Sequence, residues 1–336
     1  MKNTKKNARN IRILTGIQST GTLHLGNLLG AIFPAMAMAN SDSVHSFLFI
    51  ADLHSLTQIK DAEFLKSNTY QVAAAWMACG LQTDKTVFYR QSDVPEVAEL
   101  TWYLNCFFPY QRLTLSHSFK DKAARLQDVN TGLFTYPMLM AADVLLYDAQ
   151  IVPVGKDQLQ HLEITRDVAE RFNHKMGETF VLPEAIISKD SIYIPGTDGQ
   201  KMSKSRGNII DIFSPEKTLK KQIMNIQTDS KPLEASKDPN TDLVFAFYKL
   251  LASEEEIKLM KENYLAGDYG YGHAKTALYE CILEKFSEER KQFDRLMKDK
   301  ALVDDILTQG AQKARQVAQT TLERVRSALG FTQKKK

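Results

Sequence analysis

The sequence predicts an α/β protein in which a Rossmann-like parallel sheet domain is followed by an all-helical C-terminal domain. In the first part of the chain, short apolar runs alternate with helical periodicity, which is typical of a parallel sheet with helices on both faces. Beyond residue 205 only helical patterns remain. The expected domains are therefore residues 1–205 and 206–336, with the last helix able to pack back on the first domain.

Size and composition indicate an ordinary globular protein of about two domains, with 336 residues, 43% hydrophobic and 25% charged. Lys and Arg total 43 against 40 acidic residues, so the formal net charge of +3 permits a nucleic-acid partner without requiring one. Three widely spaced cysteines form no zinc or iron–sulfur motif and fit a reducing compartment. With no long apolar run and a polar N-terminus, a cytoplasmic protein is expected.

The first predicted unit is a strand, a glycine-containing turn and a helix, which is how a nucleotide-binding α/β domain begins. The strand is expected at residues 11–14 and the helix at 25–39. Further strands are expected at 47–51 and 87–89, and helices at 62–79, 97–106, 137–147 and 158–172. The polar residues 121–132 are expected to form a mobile connection.

The second domain shows helix signals only. Ser214-Pro215-Glu216 predicts a helix start with serine as N-cap and proline at the first helical position. Ser253 and Glu256 resemble a capping box. Residues 267–272 should break the chain before a helix at 274–298. An apolar stripe then predicts a last helix that ends at Gly330.

His24-Leu25-Gly26-Asn27 stands where a loop is expected to enter the first helix. A helix N-terminus presents free N–H groups and partial positive charge, so it attracts phosphate. Gly26 lacks a side chain, which lets a flat ring approach the backbone, and His24 and Asn27 can donate hydrogen bonds to phosphate oxygens. The alternative is a capped surface helix with an incidental histidine.

The segment from Lys201 to Ser205 contains two lysines, a methionine and two serines between Gly199 and Gly207. Flanking glycines allow such a segment to swing, and once closed it can place positive charge on a phosphate chain. The alternative is a solvated, lysine-rich loop. The presence of both segments in one chain, with an α/β pattern between them, argues against coincidence.

Together the two segments resemble the signature pair of class I aminoacyl-tRNA synthetases. Three further segments narrow the likeness to the bacterial-type tryptophanyl-tRNA synthetases: Thr15 to Gly21, Met140 to Tyr147, and Val152 to His161. The resemblance extends from about Arg12 to Asn208 and continues more loosely through the C-terminal helices.

This resemblance implies a tryptophan–tRNA ligase that works through an aminoacyl-adenylate. Carboxylate attack on the α-phosphate of ATP expels pyrophosphate, so catalysis is mainly positioning and charge stabilisation. Lys201 and Lys204 would supply the cations, opposite His24 and Asn27, and Mg²⁺ would be bound with ATP rather than at a protein metal site. The positions expected to bind ATP are Gln18, Thr20, Gly26, Asn27, Asp157, Lys201, Met202, Ser203, Lys204 and Ser205.

Asp143 lies among apolar residues in a predicted helix, where a carboxylate needs a partner. The resemblance implies that it accepts the indole N–H, while the alternative is a structural aspartate bonded to backbone N–H groups. Gln158 and Tyr136 match positions that hold the α-amino group. The other positions that the resemblance places around tryptophan are Leu14, Gly16, Gln18, His54, Met140, Val152 and Val154.

Three alternatives remain open. A tyrosyl-tRNA synthetase is the nearest, since a phenol O–H can also donate to Asp143, but such enzymes usually carry Tyr at the position of Leu14 and Asp at that of Gln18. A non-enzymatic RNA-binding relative would have little need for both intact motifs. A small-molecule nucleotidyltransferase would not need the helical C-terminal domain.

The resemblance also implies a homodimer, formed through the catalytic domain, and tRNA(Trp) as a partner whose anticodon meets the helical domain. The C-terminus is basic, through Lys313, Arg315, Arg324, Arg326 and residues 334–336. Such charges favour phosphate contacts that carry little sequence information. A solvated helix face is the alternative for the same residues.

Overall fold

The structure, a computed structural model, describes residues 11–19, 21, 23–115, 129–155, 158–187 and 194–331. Its sheet has five strands in the order β3-β2-β1-β4-β5, and every pairing is parallel. The strands are β1 Ile11–Ile17, β2 Val44–Ile50, β3 Val87–Arg90, β4 Ile151–Val154 and β5 Glu184–Ile187. The predicted parallel sheet is thus confirmed, and β4 and β5 are strands that the sequence analysis did not predict.

Helices connect and cover these strands. In the first part of the chain they are α1 Leu25–Asn27, a π-helical turn Leu28–Ile32, α2 Phe33–Ala39, α3 Asp52–Ser55, α4 Ala62–Ala78, α5 Glu96–Phe107, α6 Tyr110–Leu113, α7 Thr131–Leu145 and α8 Leu159–Met176. The later ones are α9 Glu216–Met224, α10 Leu243–Leu251, α11 Glu254–Ala266, α12 Tyr271–Lys285, α13 Ser287–Lys298 and α14 Lys300–Ala328. Among the described residues, none of these helices combines the length and apolarity that crossing a membrane requires.

Three helix predictions were wrong, and one of them is the single helix expected at 274–298, which is the two helices α12 and α13. Helix α7 begins at Thr131 rather than at Pro137, because the Asn130 side chain accepts a hydrogen bond from the Leu133 N–H at 3.0 Å and caps the helix. The N-cap of α9 is Pro215 rather than Ser214. The Ser214 hydroxyl instead donates to a backbone carbonyl of the preceding turn, so it does not cap the helix. By contrast, the capping box of Ser253 and Glu256 is confirmed.

The sheet separates two hydrophobic clusters. On one face, β2 and β3 residues pack with α1, α4 and the helices that follow residue 210, around Trp76, Leu48 and Phe247. On the other face, β1, β2 and β4 residues pack with α5, α7, α8 and the second half of α14. The sheet is therefore buried on both faces, as near-continuous apolar strands require.

The long helix α14 returns to the sheet and lies against its edge strand β3. A methyl group added to Gly310 would lie 1.7 Å from the Phe88 carbonyl oxygen, so only glycine allows the helix backbone to approach the strand this closely. An uncovered edge strand is a site for unwanted pairing with another chain. Helix α14 covers that edge.

Candidate active site

Polar side chains collect where the parallel strands end. Gln18 follows β1, His54 lies on the short helix after β2, and Gln91 follows β3. The neighbours of β1 are β2 on one side and β4 on the other, so the strand order reverses at β1. Ligands of open α/β sheets bind in the crevice outside the carboxyl ends of the strands at such a point. This crevice is the candidate active site.

Asp143 forms the polar floor of the crevice. It projects from α7, is 3% exposed, and accepts hydrogen bonds from two side chains. The His54 Nε2 lies 2.8 Å from Oδ2, and the Gln91 Nε2 lies 2.7 Å from Oδ1 and 2.9 Å from Oδ2. The partners are side chains from the ends of β2 and β3 rather than backbone N–H groups. Gln91 had no predicted role, although it directly follows a predicted strand.

The charge of Asp143 reflects two opposed effects. Burial raises the pKa of its carboxyl group, because the charged form loses water, while the hydrogen bonds from His54 and Gln91 act to lower it. Behind it, burial also raises the pKa of Tyr89, whose hydroxyl interacts with that of Tyr147. The floor therefore consists of polar groups that bond to one another beneath the pocket.

Tyr136 and Gln158, expected to hold an α-amino group, lie on the sides of the same crevice. The Tyr136 hydroxyl is 2.5 Å from His161 Nε2, and the two rings are 5.0 Å apart in an edge-on arrangement. The centres of the Tyr136 and His54 rings are 6.2 Å apart in an edge-on arrangement, so these two predicted residues are neighbours. Gln158 immediately precedes α8, where its N–H donates to the Gly155 carbonyl. His161, the partner of Tyr136, is 1% exposed, and like Gln91 it had no predicted role.

The apolar positions divide into core and surface. Leu14 is 2% exposed and Val152 is 4% exposed, and both pack in the cluster on the α7 side of the sheet. Val154 and Met140 are only partly buried, which places them nearer to the opening. Gly16 is exposed on β1, and a methyl group there would lie 2.5 Å from the Phe49 ring. The structure therefore explains Gly16 by the close approach of Phe49.

The His24 motif forms a reciprocal helix cap. The Asn27 N–H donates to His24 Nδ1, and the His24 N–H donates to Asn27 Oδ1, each at 3.3 Å. Burial and the nearby Lys204 lower the pKa of His24 to about 4, so the imidazole is neutral at pH 7. Since Nδ1 accepts, the ring proton resides on Nε2. The cap thereby leaves the His24 Nε2–H and the Asn27 amide nitrogen as donors toward a ligand.

The Lys201 segment packs directly on this cap. The Gly26 N–H donates to the Met202 sulfur at 3.4 Å, and the Leu25 N–H donates to the Ile210 carbonyl at 2.8 Å. A methyl group added to Gly21 would lie 3.6 Å from Lys204 Nζ, which places this ammonium beside the cap. The side-chain atoms nearest to a methyl group added at Gly26 are those of His24 and Met202, and the approach of a flat ring stays a prediction.

Lys204 is poorly hydrated in this position. Burial lowers its pKa to about 8, an effect that the negative charge of Asp211 opposes. Asp211 is buried as well, which raises the pKa of its carboxyl group to about 6. A desolvated ammonium beside a helix N-terminus is a strong site for phosphate, because the ligand restores the lost charge interaction.

Asn208 holds the Lys201 segment in its observed position. Its Oδ1 accepts from the Ser203 N–H at 2.8 Å, and its Nδ2 donates to Asp198 at 2.6 Å and to the Lys201 carbonyl at 3.1 Å. Asn208 is 3% exposed. Gly196 makes room for it, since a methyl group there would lie 2.1 Å from its amide nitrogen. No motif had indicated this role for Asn208.

Not every predicted position meets this crevice. Lys201 is exposed, and its backbone pairs with Pro195 in an isolated antiparallel bridge. Thr20 and Asp157 lie outside the described residues, as does the Ser205 side chain. Their assignment to ATP stays a prediction.

The basic C-terminal helix binds the protein itself. Arg315 forms an ion pair with Glu96 at 2.9 Å, Arg324 with Asp148 at 2.5 Å, and Arg326 with Glu99 at 2.5 Å. All three acidic partners belong to the sheet domain, so the arginines fasten α14 to it. A contact of these arginines with RNA stays a prediction. Lys313 is exposed, and residues 334–336 lie outside the described part of the chain.

Known proteins match this chain over most of its length. Residues 5–287 match the family described as tRNA synthetases class I (W and Y). The chain is 47% identical over 323 residues to the tryptophan–tRNA ligase of Fusobacterium nucleatum, covering 95% of this chain and 98% of that protein. It is 46% identical over 321 residues to the Campylobacter jejuni tryptophan–tRNA ligase, covering 96% and 100%.

Solved structures agree. The tryptophanyl-tRNA synthetase of Campylobacter jejuni, crystallised with ADP and tryptophan, superposes with a TM-score of 0.93 at 45% identity, covering 96% of this chain and all of that one. A tyrosyl-tRNA synthetase from Archaeoglobus fulgidus gives a TM-score of 0.62 at 17% identity over 84% of this chain and 90% of its own. The second likeness shows a shared fold only.

Proposed function

The chain belongs to the class I tRNA synthetases for tryptophan and tyrosine, and we propose on this basis that it acts as a tryptophan–tRNA ligase. It activates L-tryptophan with ATP to form tryptophanyl-adenylate and pyrophosphate, and then transfers the aminoacyl group to tRNA(Trp). The contact between the Lys201 segment and the His24 cap carries this proposal, because it assembles donors and an ammonium in one place for phosphate.

In the first step, the formation of tryptophanyl-adenylate, the groups of the crevice act on the phosphates of ATP. The His24 Nε2–H, the Asn27 amide and the Lys204 ammonium stabilise the charge that builds on ATP as pyrophosphate leaves. No nucleophile from the protein is needed, since the tryptophan carboxylate attacks the α-phosphate. Removing one such donor commonly costs about 10²–10³ in rate. We expect that loss for Lys204→Met.

Mg²⁺ fits this site as a companion of ATP. Within the described residues, no group of three or more His, Cys, Asp or Glu side chains is placed to hold a metal ion. The groups at the motif contact are neutral donors and an ammonium, which suit phosphate oxygens rather than a cation. Mg²⁺ bound to the phosphates would neutralise part of their charge.

Selection of tryptophan rests on Asp143. The buried carboxylate gives the indole N–H an acceptor, and a side chain without a donor would leave that acceptor unpaired. Relatives named as tryptophan enzymes at 46–47% identity favour this assignment over tyrosine. The walls would come from Met140 and Val154, with Tyr136 and Gln158 at the amino group.

ATP–pyrophosphate exchange across the amino acids tests the proposal. We expect exchange with tryptophan, and loss of tryptophan affinity in Asp143→Ala. Exchange with tyrosine alone would contradict the assigned amino acid. Absence of exchange with every amino acid would indicate a non-enzymatic relative that kept the fold.

The working enzyme is proposed to be a homodimer. Trp102, Tyr110 and Leu115 are 68%, 70% and 62% exposed, which is unusual for such large apolar side chains. Trp102 lies on α5 and Tyr110 on α6, so this face of the first domain is the proposed interface. A sedimentation mass of one chain at micromolar concentration would contradict it.

The remaining assignments extend the same proposal. Residues 1–205 would form the catalytic domain and residues 206–336 the anticodon-binding domain, with exposed Lys313 as a candidate phosphate contact. A cytoplasmic location is supported by Cys79, Cys106 and Cys281, which are all free thiols.

A further inference from the structure

Gln91 occupies a position that no motif indicates. It is 1% exposed, lies directly after β3, and reaches across the crevice floor to Asp143 on α7. Its amide nitrogen contacts both carboxylate oxygens, at 2.7 Å and 2.9 Å. Burying the polar atoms of a glutamine is costly unless they form hydrogen bonds. Gln91 forms them with a carboxylate on another element, so it does more than fill space.

The orientation of the Gln91 amide is fixed by its surroundings. Its Oε1 accepts the His54 backbone N–H at 3.4 Å, so the NH₂ group must face the carboxylate. A flipped amide would set an oxygen against two carboxylate oxygens and a nitrogen against an N–H group. His54 completes the arrangement, since its Nε2 donates to Oδ2 at 2.8 Å.

These bonds determine what Asp143 can still offer. An ionised carboxylate has about four acceptor positions. Gln91 and His54 occupy three of them, which leaves room for one incoming donor. The Gln91 amide and the His54 Nε2–H are also committed to the carboxylate, so neither is available to a ligand atom that accepts.

This pattern separates an indole from a phenol. An indole nitrogen donates one hydrogen bond and accepts none, so it needs only the remaining position on Asp143. A phenol oxygen can donate to the same position, but its lone pairs would then face a floor whose donors are already used. A buried acceptor without a partner is costly.

We propose that Gln91 is a positioning residue for amino-acid selection: by orienting Asp143 and, with His54, committing the donors of the floor, it makes the pocket specific for indole over phenol. This inference rests on the proposed tryptophan–tRNA ligase function. Gln91 acts through Asp143 and does not itself contact the substrate.

The test compares Gln91→Met, which keeps the volume but removes the amide, with the unaltered chain in pyrophosphate exchange. The substrates are tryptophan, tyrosine and β-(3-benzothienyl)alanine, in which sulfur replaces the indole N–H. In the unaltered chain, kcat/KM should strongly favour tryptophan over both. In Gln91→Met, the preference for tryptophan over the benzothienyl analogue should fall about tenfold or more, because the acceptor is no longer held in place. The preference over tyrosine should fall as well.

Ser92→Ala is the matched control. Ser92 is the next residue and bonds to Asp52 rather than to Asp143, so its loss disturbs the same turn without freeing the carboxylate. The substrate ratios of this variant should equal those of the unaltered chain.

Equal losses for all three substrates in Gln91→Met would overturn the inference, since a merely structural role lowers every rate without changing the ratios. If that variant does not fold, Gln91→Leu also removes the amide and adds no charge beside Asp143, and the same fall in the substrate ratios is expected of it. Failure of the unaltered chain to use tryptophan would instead refute the proposed function, so the two failures are distinguishable.

Discussion

The surroundings of the Lys204 ammonium lower its pKa. Burial beside the His24 cap lowers its pKa to about 8, so the free enzyme loses this positive charge as the pH rises through that value. His24 has its pKa lowered to about 4 and stays neutral over the same range. Of these two motif groups, Lys204 is therefore the one expected to titrate near physiological pH.

The pH dependence of exchange should show this titration. We expect kcat/KM for ATP to decline tenfold per pH unit well above about pH 8, because this ratio reports groups of the free enzyme. In Lys204→Arg the alkaline decline should disappear even though the rate is lower, since arginine stays charged. Lys201→Arg is the control and should keep the decline. An unchanged decline in Lys204→Arg would assign it to another group.

At the scale of residues, the sequence predicted several site residues but not the side chains that bond to them. His54 and Asp143 were both predicted, but their direct bond was not, since they are 89 positions apart in the chain. Gln91, His161 and Asn208 escaped prediction because a glutamine, histidine or asparagine gains a role only from what folding brings beside it. The arginines of α14 show the converse, since a basic surface inferred from sequence turned out to face acidic residues of the same chain.

Among elements, the Lys201 segment has little regular structure. It has a short 3₁₀ turn, Lys204–Arg206, and three hydrogen bonds of one buried side chain, Asn208, help to hold it in position. Few contacts give a segment low local stability, which is a requirement for motion.

Replacing that side chain should loosen the segment without damaging the tryptophan pocket. In Asn208→Ala we expect the rate of adenylate formation to fall about tenfold to a hundredfold, because a misplaced charge stabilises the transition state poorly. The dissociation constant for tryptophan should be unchanged. Asn225→Ala, at an exposed asparagine, is the control for adenylate formation. Weaker tryptophan binding in Asn208→Ala would show that Asn208 acts on more than the segment.

Element boundaries were predictable where a single local signal dominated. The capping box at Ser253 is such a case, and so is the end of α14 at Gly330, which has a φ of 76°. The predicted start of α7 at Pro137 was wrong because the helix is capped by Asn130, seven positions earlier. β4 and β5 were not predicted because each has only four residues, which is too short for a pattern to stand out.

For the whole molecule, α14 joins the end of the chain to its first domain. Gly310 lies directly against Phe88, and the ion pairs of Arg315, Arg324 and Arg326 follow it along the helix. The fold class and a last helix were predictable from periodicity. The packing of α14 on β3 was not predictable, because a local sequence pattern does not indicate which strand a distant helix will cover.

Gly310→Ala should destabilise the entire protein. Its added methyl group meets backbone rather than a movable side chain, so we expect a loss of about 1–3 kcal/mol and a lower thermal midpoint. Gly272→Ala is the matched control. A methyl group there meets nothing within 4 Å, and that variant should be as stable as the parent or slightly more so. Equal midpoints for all three proteins would show that α14 does not clasp the strand.

The position of α14 also has a consequence for how the protein is made. A ribosome releases the strands of the sheet long before it releases Lys300–Ala328, so the nascent chain carries β3 with its outer edge still bare. Parallel strands are slow to pair, and a bare edge invites association with other chains in the meantime. The edge of the sheet is thus covered only after Lys300–Ala328 has been made, and a chain truncated before this helix is expected to aggregate rather than to yield a free catalytic domain.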